Sequence, residues 1–255
     1  MIEALTDIIG EAAALALSRQ QAIAQLRIAA KGHLDFVTDA DRAVEEMIAA
    51  RVARLFPEDG FLGEEGRRLS GRSGRTWIVD PIDGTHNFIR GSMSWAVSVG
   101  IASDAAVGAA VFAPAMRTLL VAEAGKGVWH NGERLPDRRK PEQFSVAYTG
   151  VSTWMSTNHD HWLTEFVRGE LGLADRRTGS AVTSLIAVIL GEADLYIGFG
   201  EHIWDVAGGA IIAGEAGYAH SLDWSADLPE GPTTFVCGEP SLVERSMKAL
   251  QARAT

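Results

Sequence analysis

The feature that most constrains this chain is the string WIVDPIDGTHNF at residues 77–88. Three apolar residues run into Asp80, and a second acid, Asp83, follows three positions later. Pro81 stiffens the backbone between the acids, and Gly84 lets the chain bend after them. Such a turn can present two carboxylates to one point at the end of a sheet. They then share a proton or bind a cation. Alternatively, the turn is solvated and Asp80 caps the next helix.

The composition limits the class of protein. With 255 residues and 47 % hydrophobic content, the chain can bury a large core in one sizeable domain or in two lobes. Acids outnumber bases by 33 to 23, which argues against nucleic acid or an anionic membrane as the main partner. A single cysteine, Cys237, excludes an intramolecular disulfide and a cysteine-based zinc site, and it fits a reducing, cytoplasmic compartment.

Helices are predicted where apolar residues recur at helical spacing. The acidic N-terminus predicts an amphipathic helix to about Ala30 rather than a secretory signal, and a second helix is expected over about 41–56. Residues 181–190 predict an apolar helix, and residues 207–216 predict a helix rich in small residues that is suited to close packing. Ser241 is expected to cap a final helix. No segment reaches the roughly 18–20 apolar residues that span a bilayer.

Strands are predicted after Trp77 in short apolar segments, and again at 194–198 and 233–237. Asn131-Gly132 occupies the turn position of a hairpin. Helices and strands alternate without a regular βαβ period, so an α/β protein of the α+β type with layered architecture is expected rather than a Rossmann or TIM fold. The charged stretch 136–142 predicts a boundary between two lobes of one domain, 1–138 and 139–255.

Acids elsewhere in the chain stand in similar settings. Glu64 and Glu65 form a pair in a loop, Asp41 lies in the first turn of a helix, and Asp205 follows Trp204 at the start of another helix. Each alone also fits a structural role, as a surface loop or a helix cap. Together they supply oxygen ligands without a histidine cluster or cysteines, the ligand set of Mg²⁺ rather than Zn²⁺.

Gly84 and Thr85 supply the complementary half of a site. If the chain becomes helical after Asp83, their N–H groups point outward and favour an anion such as phosphate. Carboxylates that hold metal ions beside amides that hold phosphate indicate a phosphoryl-transfer site. The chain has no G-x-x-x-x-G-K-[ST] loop, which excludes nucleotide hydrolysis by a P-loop.

At this point the sequence resembles the inositol monophosphatase family of Mg²⁺-dependent, lithium-sensitive phosphatases. The resemblance implies a layered α-β-α-β-α sandwich, a homodimer, and a small phosphorylated metabolite as substrate. The blocks that carry it, in order, are Asp35-Phe36-Val37-Thr38-Asp39-Ala40-Asp41, Gly63-Glu64-Glu65, the string from Trp77 to Phe88, and Trp204-Asp205-Val206-Ala207-Gly208 continuing to Glu215-Ala216-Gly217.

The same resemblance implies roles for single residues. Two to three Mg²⁺ ions would be held by one set of ligands: Glu64, Asp80, Asp83, Asp205 and the backbone carbonyl of Ile82. Asp80 would bridge the first two ions, and Glu64 would hold the third.

The resemblance extends to the residues around the reacting groups. Thr85 would orient the attacking water with Asp41 accepting from its hydroxyl, and the amides of Gly84 and Thr85 would bind phosphate. Lys31 matches a lysine position near the metals.

Substrate choice is where the pattern departs from the family. Gly179-Ser180-Ala181 matches the segment that contacts the alcohol half of the substrate. Inositol-specific members carry an acid seven positions before the Trp-Asp aspartate, and here that position is Gly198. Glu201 and His202 lie nearby, either lining the pocket or standing on its rim. The missing acid weakens the prediction of myo-inositol 1-phosphate as the substrate.

The leading hypothesis is therefore a Mg²⁺-dependent phosphate monoesterase acting on a small polyol or sugar phosphate. Histidinol phosphate and fructose 1,6-bisphosphate are alternative substrates, and 3′-phosphoadenosine nucleotides rank lower because His86-Asn87 replaces the Lys-Glu of that type. An alternative of another class is a regulatory interaction protein that keeps the fold. The complete set of acids favours the enzyme.

Overall fold

The computed structural model describes residues 1–22, 28–32, 35–136, 143 and 145–254. The predicted lobe boundary between residues 138 and 139 lies outside the described residues, and so does the side chain of Lys31. Among the described residues, no helix is long and apolar enough to cross a membrane.

The helices and strands alternate irregularly along the chain, as the sequence predicts. The helices are α1 (Ile2–Gln21), α2 (Asp39–Leu55), α3 (Thr85–Ile89), α4 (Thr157–Glu165), α5 (Ala181–Ile189), α6 (Ile203–Glu215) and α7 (Pro240–Ala254). The strands are β1 (Ile28–Gly32), β2 (Asp35–Thr38), β3 (Gly60–Gly63), β4 (Arg68–Leu69), β5 (Thr76–Asp83), β6 (Ala96–Ala102), β7 (Ala106–Ala113), β8 (Thr118–Glu123), β9 (Gly127–His130), β10 (Glu133–Arg134), β11 (Val146–Val151), β12 (Ala174–Arg176), β13 (Leu195–Glu201), β14 (Ala219–His220) and β15 (Thr233–Gly238).

The strands form two large sheets. One sheet has the order β10-β9-β8-β7-β6-β5-β3-β4, in which β3 and β5 are parallel and the other neighbours antiparallel. The other has the order β12-β11-β13-β15-β14, in which β11 runs parallel to both of its neighbours. The strands β1 and β2 form a separate antiparallel pair. The eight-stranded sheet comes from the first half of the chain and the five-stranded sheet from the second.

These sheets alternate with helices in five layers, which confirms the predicted α-β-α-β-α sandwich. Helices α1 and α2 cover one face of the eight-stranded sheet. Helices α5 and α6 lie between the two sheets, and α4 and α7 cover the outer face of the five-stranded sheet.

The alternation of side chains along each strand explains the layering. In β13, Leu195 and Ile197 belong to the apolar cluster around α4 and α7, whereas Tyr196 belongs to the cluster around α5 and α6. In β6, Val97 and Val99 pack towards α1 and α2, and Ala96 packs the other way. Because successive side chains of a strand point to opposite faces, a wholly apolar strand must be covered on both sides.

Helix α6 packs closely, as its small residues predict. A Cβ atom on Gly208 would lie 2.4 Å from Ser98 Oγ, and one on Gly209 would lie 2.4 Å from Leu185 Cδ1. The helix therefore approaches β6 and α5 at distances that only glycine permits. This close approach brings the N-terminal turn of α6, with Asp205, towards the end of β5.

Two sequence predictions need correction. The first helix, expected to reach about Ala30, ends at Gln21, and Ile28–Gly32 form a strand instead. The last helix begins at Pro240, so Ser241 lies inside it rather than at its cap; proline suits the first turn because the N–H it lacks has no partner there. The hairpin at Asn131-Gly132 is confirmed, and both residues have positive φ, 52° and 87°.

Candidate active site

The site is built around an irregularity in β5. Between Asp80 and Asp83, β5 advances three residues while its neighbour β6 advances two. The extra residue shifts the alternation, so two side chains that would point to opposite faces come to the same side of the sheet. Both carboxylates are buried, with 2 % and 8 % of their surface exposed. The D-P-x-D turn is therefore internal, which excludes the solvated alternative.

Glu64 joins this pair because β3 lies beside β5. The strands are parallel, so their carboxyl ends meet at one edge, and the N–H of Glu64 donates to the carbonyl of Val79 at 3.1 Å. Burial raises the pKa of Asp80 well above its usual value, and the neighbouring carboxylates, first that of Glu64, raise it further.

Asp205 reaches the same place from α6. Its Oδ2 accepts from the N–H of His202 at 2.6 Å, which caps the helix. Burial raises the pKa of Asp205 well above its usual value, followed by the charges of Glu201 and Glu64. Asp205 therefore caps α6 and also lies close to the other acids of the site.

Asp83 faces the N-terminus of α5. Its carboxylate accepts from the hydroxyl of Ser180, from the N–H of Ala181 at 3.2 Å and from that of Val182 at 2.8 Å. Burial raises the pKa of Asp83 to about 6, although these hydrogen bonds act in the opposite direction. Ser180 and Ala181, predicted to contact the substrate alcohol, are therefore also partners of Asp83.

Asp41 and Thr85 lie within reach of one another. Thr85 Oγ1 is 3.4 Å from Asp41 Oδ1 and 3.3 Å from the carbonyl oxygen of Ile82. Asp41 Oδ2 accepts from the N–H of Thr38 at 2.8 Å and from its hydroxyl at 2.6 Å, as part of a capping box at the start of α2. Burial raises the pKa of Asp41 to about 6.

Gly84 allows the tight passage from β5 into α3. Its φ is +86°, and a Cβ atom there would lie 2.9 Å from the carbonyl oxygen of Ser94. Helix α3 begins at the next residue, Thr85, so the condition set for the outward-pointing amides is met. The amides expected to bind phosphate therefore lie at a helix start directly after Asp83.

A cavity of about 690 Å³, called here the central cavity, opens over these residues. Its wall on the side of the eight-stranded sheet includes Glu64, Asp83, Gly84 and Thr85. On the opposite side it includes Gly179, Ser180, Ala181, Glu201, His202 and Asp205. Of the described residues predicted for the site, Asp41, Asp80, Ile82 and Gly198 do not line it. His202 stacks on Trp204 with ring centroids 4.6 Å apart.

The residues fit a divalent cation by their chemistry. Within the described part of the chain, no three His, Cys, Asp or Glu side chains form a compact coordination sphere. However, the carboxylates of Glu64, Asp83 and Asp205 all raise the pKa of the buried Asp80, so they lie close enough to repel. An oxygen-only set of this kind suits Mg²⁺, whose charge would offset that repulsion.

Sequence reasoning missed Glu45. This acid lies one turn after Asp41 on the buried face of α2 and is 4 % exposed. Its carboxylate accepts from the N–H of Glu65 at 2.8 Å and from that of Arg67 at 3.3 Å. It thus holds the loop that carries Glu64. An acid four residues after Asp41, within an apolar stripe, is the signal that could have identified it.

Sequence reasoning also gave Asn87 no role. Its Nδ2 donates to the carbonyl of Ser94 at 2.7 Å, to that of Thr178 at 2.9 Å and, more weakly, to that of Gly179 at 3.3 Å. Asn87 thereby ties the turn at Gly84-Thr85 to the segment before α5. Its place in the 77–88 string was the available signal.

Comparison with known proteins agrees with this geometry. A model of the inositol monophosphatase family matches residues 1–254. The inositol-1-monophosphatase of Rhizobium meliloti (strain 1021) is 36 % identical over 242 residues, covering 90 % of this chain and 88 % of that protein. The Nus factor SuhB of Xylella fastidiosa (strain Temecula1) is 33 % identical over 196 residues, covering 75 % of this chain and 70 % of that protein.

The fold also matches a solved structure. The extragenic suppressor protein suhB from Bartonella henselae superimposes with a TM-score of 0.83 at 26 % identity. The match covers 97 % of each chain. This chain therefore shares its layered fold with that structure over nearly the full length of both chains.

Proposed function

Because the chain belongs to the inositol monophosphatase family, we propose that it hydrolyses the phosphate monoester of a small polyol or sugar, with Mg²⁺ activating the attacking water. The observation that carries the proposal is the convergence of buried carboxylates beside the turn at Gly84-Thr85, in a cavity of about 690 Å³. In a chain with net charge −10, acids gathered at one place under a cavity need a compensating cation, which Mg²⁺ would supply.

Mg²⁺ bound to these acids would neutralise charge on the phosphoryl group. It would also lower the pKa of a bound water molecule towards neutrality. We assign its ligands to four side chains and one backbone oxygen: Glu64, Asp80, Asp83, Asp205 and the carbonyl of Ile82. The acids come from β5, the end of β3 and the start of α6, so their relative positions depend on packing between layers.

Thr85 and Asp41 would orient the attacking water. With its proton directed to the charged Asp41 Oδ1, 3.4 Å away, the Thr85 hydroxyl keeps its lone pairs free to accept from water. Thr38 holds the other carboxylate oxygen of Asp41 through two hydrogen bonds, so the carboxylate cannot rotate freely. Glu64, which lines the same wall of the central cavity, would help to remove the proton from that water.

The amides of Gly84 and Thr85 would bind the phosphate oxygens, and no covalent phosphoenzyme is needed. Cys237 lies fully buried in β15, and burial raises the pKa of its thiol. It is therefore unsuited to act as a nucleophile.

The alcohol half of the substrate would lie against Gly179-Ser180-Ala181, Glu201 and His202. The polar side chains of this wall support a polyol phosphate of the inositol 1-phosphate kind. Histidinol phosphate and fructose 1,6-bisphosphate remain candidates for the same site.

The name of one relative, Nus factor SuhB, favours a second candidate function, a regulatory interaction protein that keeps this fold. We rank it lower, because every acid of the proposed set is present. Asp80 and Asp83 are buried, and Glu64 and Asp205 are half-buried at the central cavity. We further propose a homodimer, as the family resemblance implies, and a location in the cytoplasm, which the single cysteine supports. Light scattering of the purified chain tests the oligomeric state.

The test is phosphate release with Mg²⁺ from four substrates: myo-inositol 1-phosphate, histidinol phosphate, fructose 1,6-bisphosphate and a 3′-phosphoadenosine nucleotide. We expect activity that chelator abolishes and lithium inhibits. Asp83→Asn and Asp205→Asn should each lower it by orders of magnitude while the fold persists. Wild-type turnover by either variant would refute the metal assignment. Absence of activity on all four, with a stable partner protein recovered, would favour the regulatory function.

A further inference from the structure

Two glycines form a notch beside the central cavity. Gly150 of β11 and Gly198 of β13 are directly paired in the parallel ladder. A Cβ atom on Gly198 would lie 2.3 Å from Glu201 Oε1, and one on Gly150 would lie 2.7 Å from Tyr196 Oη and 3.0 Å from Glu201 Oε1. The carboxylate of Glu201 and the hydroxyl of Tyr196 therefore occupy the space that side chains at these positions would fill.

A bulge at the end of β13 turns Glu201 towards this notch. Phe199 pairs with Thr234 and Glu201 with Thr233, so β13 advances two residues while β15 advances one. Gly200 between them has a φ of +81°, which only glycine adopts readily. In a regular strand Glu201 would point with Phe199 into the apolar layer of α4 and α7. The bulge places it with Tyr196 on the cavity side instead.

The carboxylate is held in place. The Tyr196 hydroxyl donates to Glu201 Oε1 at 2.6 Å, and Tyr196 itself is 1 % exposed, so its ring cannot turn away. Glu201 is 8 % exposed, and both residues line the central cavity that also contains Gly84 and Thr85. The side chain of Asp205 is a second hydrogen-bond partner of Glu201. A carboxylate offers about four acceptor positions, so these two contacts leave capacity for a ligand.

We propose that Glu201, oriented by Tyr196, accepts a hydrogen bond from a hydroxyl of the substrate alcohol and selects polyol phosphates over phosphates of plain alcohols. The acceptor missing at Gly198 is thus supplied from three residues further along the chain, through the bulge. A buried acceptor left without its donor is costly, so a substrate lacking that hydroxyl is disfavoured. This inference rests on the proposed phosphatase function.

The test compares two substrates that differ only in hydroxyl groups, myo-inositol 1-phosphate and cyclohexyl phosphate. The measured quantity is the ratio of their kcat/KM values, because both esters use the same metal-binding carboxylates. In Glu201→Gln the ratio should fall about ten- to hundred-fold, with the loss appearing in KM for the inositol ester.

Gly198→Ala provides a second variant that retains the carboxylate. Its methyl group would meet the flexible end of Glu201 at 2.3 Å and displace it, so the ratio should fall in the same direction. Tyr196→Phe, which removes only the donor, should give a smaller loss. Glu192→Gln, the same change at an exposed position before β13, is the control and should keep the wild-type ratio.

The outcomes separate this inference from the proposed function. If the wild-type protein hydrolyses neither ester nor any other phosphate monoester, the phosphatase function itself fails. If it hydrolyses them and the ratio is unchanged in both Glu201→Gln and Gly198→Ala, the selective role of Glu201 is overturned while the phosphatase function stands.

Discussion

Glu45→Gln is the change that most directly tests how the site is supported. The carboxylate of Glu45 accepts from two N–H groups of the loop after β3, those of Glu65 and Arg67. Glu45 also packs closely against Gly63, where a Cβ atom would lie 2.2 Å from Glu45 Oε2. Since Glu64 lies between Gly63 and Glu65, the position of its side chain depends on this clamp.

The expected magnitude follows from the two hydrogen bonds. A bond to a charged group contributes about 1.5–3 kcal/mol, and glutamine keeps one carbonyl oxygen but turns an NH₂ group towards the second N–H. We therefore expect the free energy of unfolding to fall by about 1.5–3 kcal/mol. If roughly half of this free energy is lost from Mg²⁺ binding because Glu64 is displaced, the Mg²⁺ concentration for half-maximal stabilisation should rise by several-fold to about tenfold.

Urea unfolding at neutral pH measures the first quantity, and the shift of the thermal midpoint with Mg²⁺ measures the second without requiring turnover. Glu46→Gln is the matched control, because it removes the same charge from the next residue, which is exposed on α2. The reasoning is refuted if Glu45→Gln matches Glu46→Gln in both the urea midpoint and the response to Mg²⁺.

Two further predictions concern stability. Burial raises the pKa of Asp59, but hydrogen bonds, first those from Arg75, outweigh it and leave that pKa below 3.8. Its ionised form therefore stabilises the fold above the unfolded pKa, and this is lost as the pH falls through the lowered folded value. Asp59→Asn should cost about 1–3 kcal/mol at pH 7 in urea titrations, and the difference from wild type should shrink only below pH 3.8. Gly209→Ala places a methyl group 2.4 Å from Leu185 Cδ1 and should cost about 1–3 kcal/mol. Gly10→Ala in α1, where a Cβ atom meets nothing within 4 Å, should instead stabilise by about 0.5–1 kcal/mol; equal effects of the two glycine variants would contradict the packing of α6.

Much of the fold could be predicted from local patterns. Apolar residues at helical spacing predicted α2 and α5 to within two residues, and Asn131-Gly132 predicted its hairpin. These features depend on neighbours in the sequence, for which propensity and burial agree. The end of α1 was predicted too late, because residues 28–30 are as compatible with a helix as with the strand they form.

The candidate site, like the fold, could be predicted from the sequence only in part. The residue types and their order, two acids in the 77–88 string with Asp41, Glu64 and Asp205, follow from the sequence and indicate oxygen ligands for a cation. That these acids belong to one site followed only from family resemblance, since 164 positions separate Asp41 from Asp205. The structure brings them together because parallel β3 and β5 end at one edge and α6 packs there through its glycines.

Three features were decided by tertiary structure alone. The bulges in β5 and β13 reverse the face on which Asp83 and Glu201 lie, and register between strands is not encoded by any local pattern. Glu45 acquired its role because a loop 20 residues away has N–H groups that need an acceptor. The sequence thus determined which chemistry the chain carries. Packing and register determined which side chains face the cavity, because a shift of one residue in a strand exchanges its two faces.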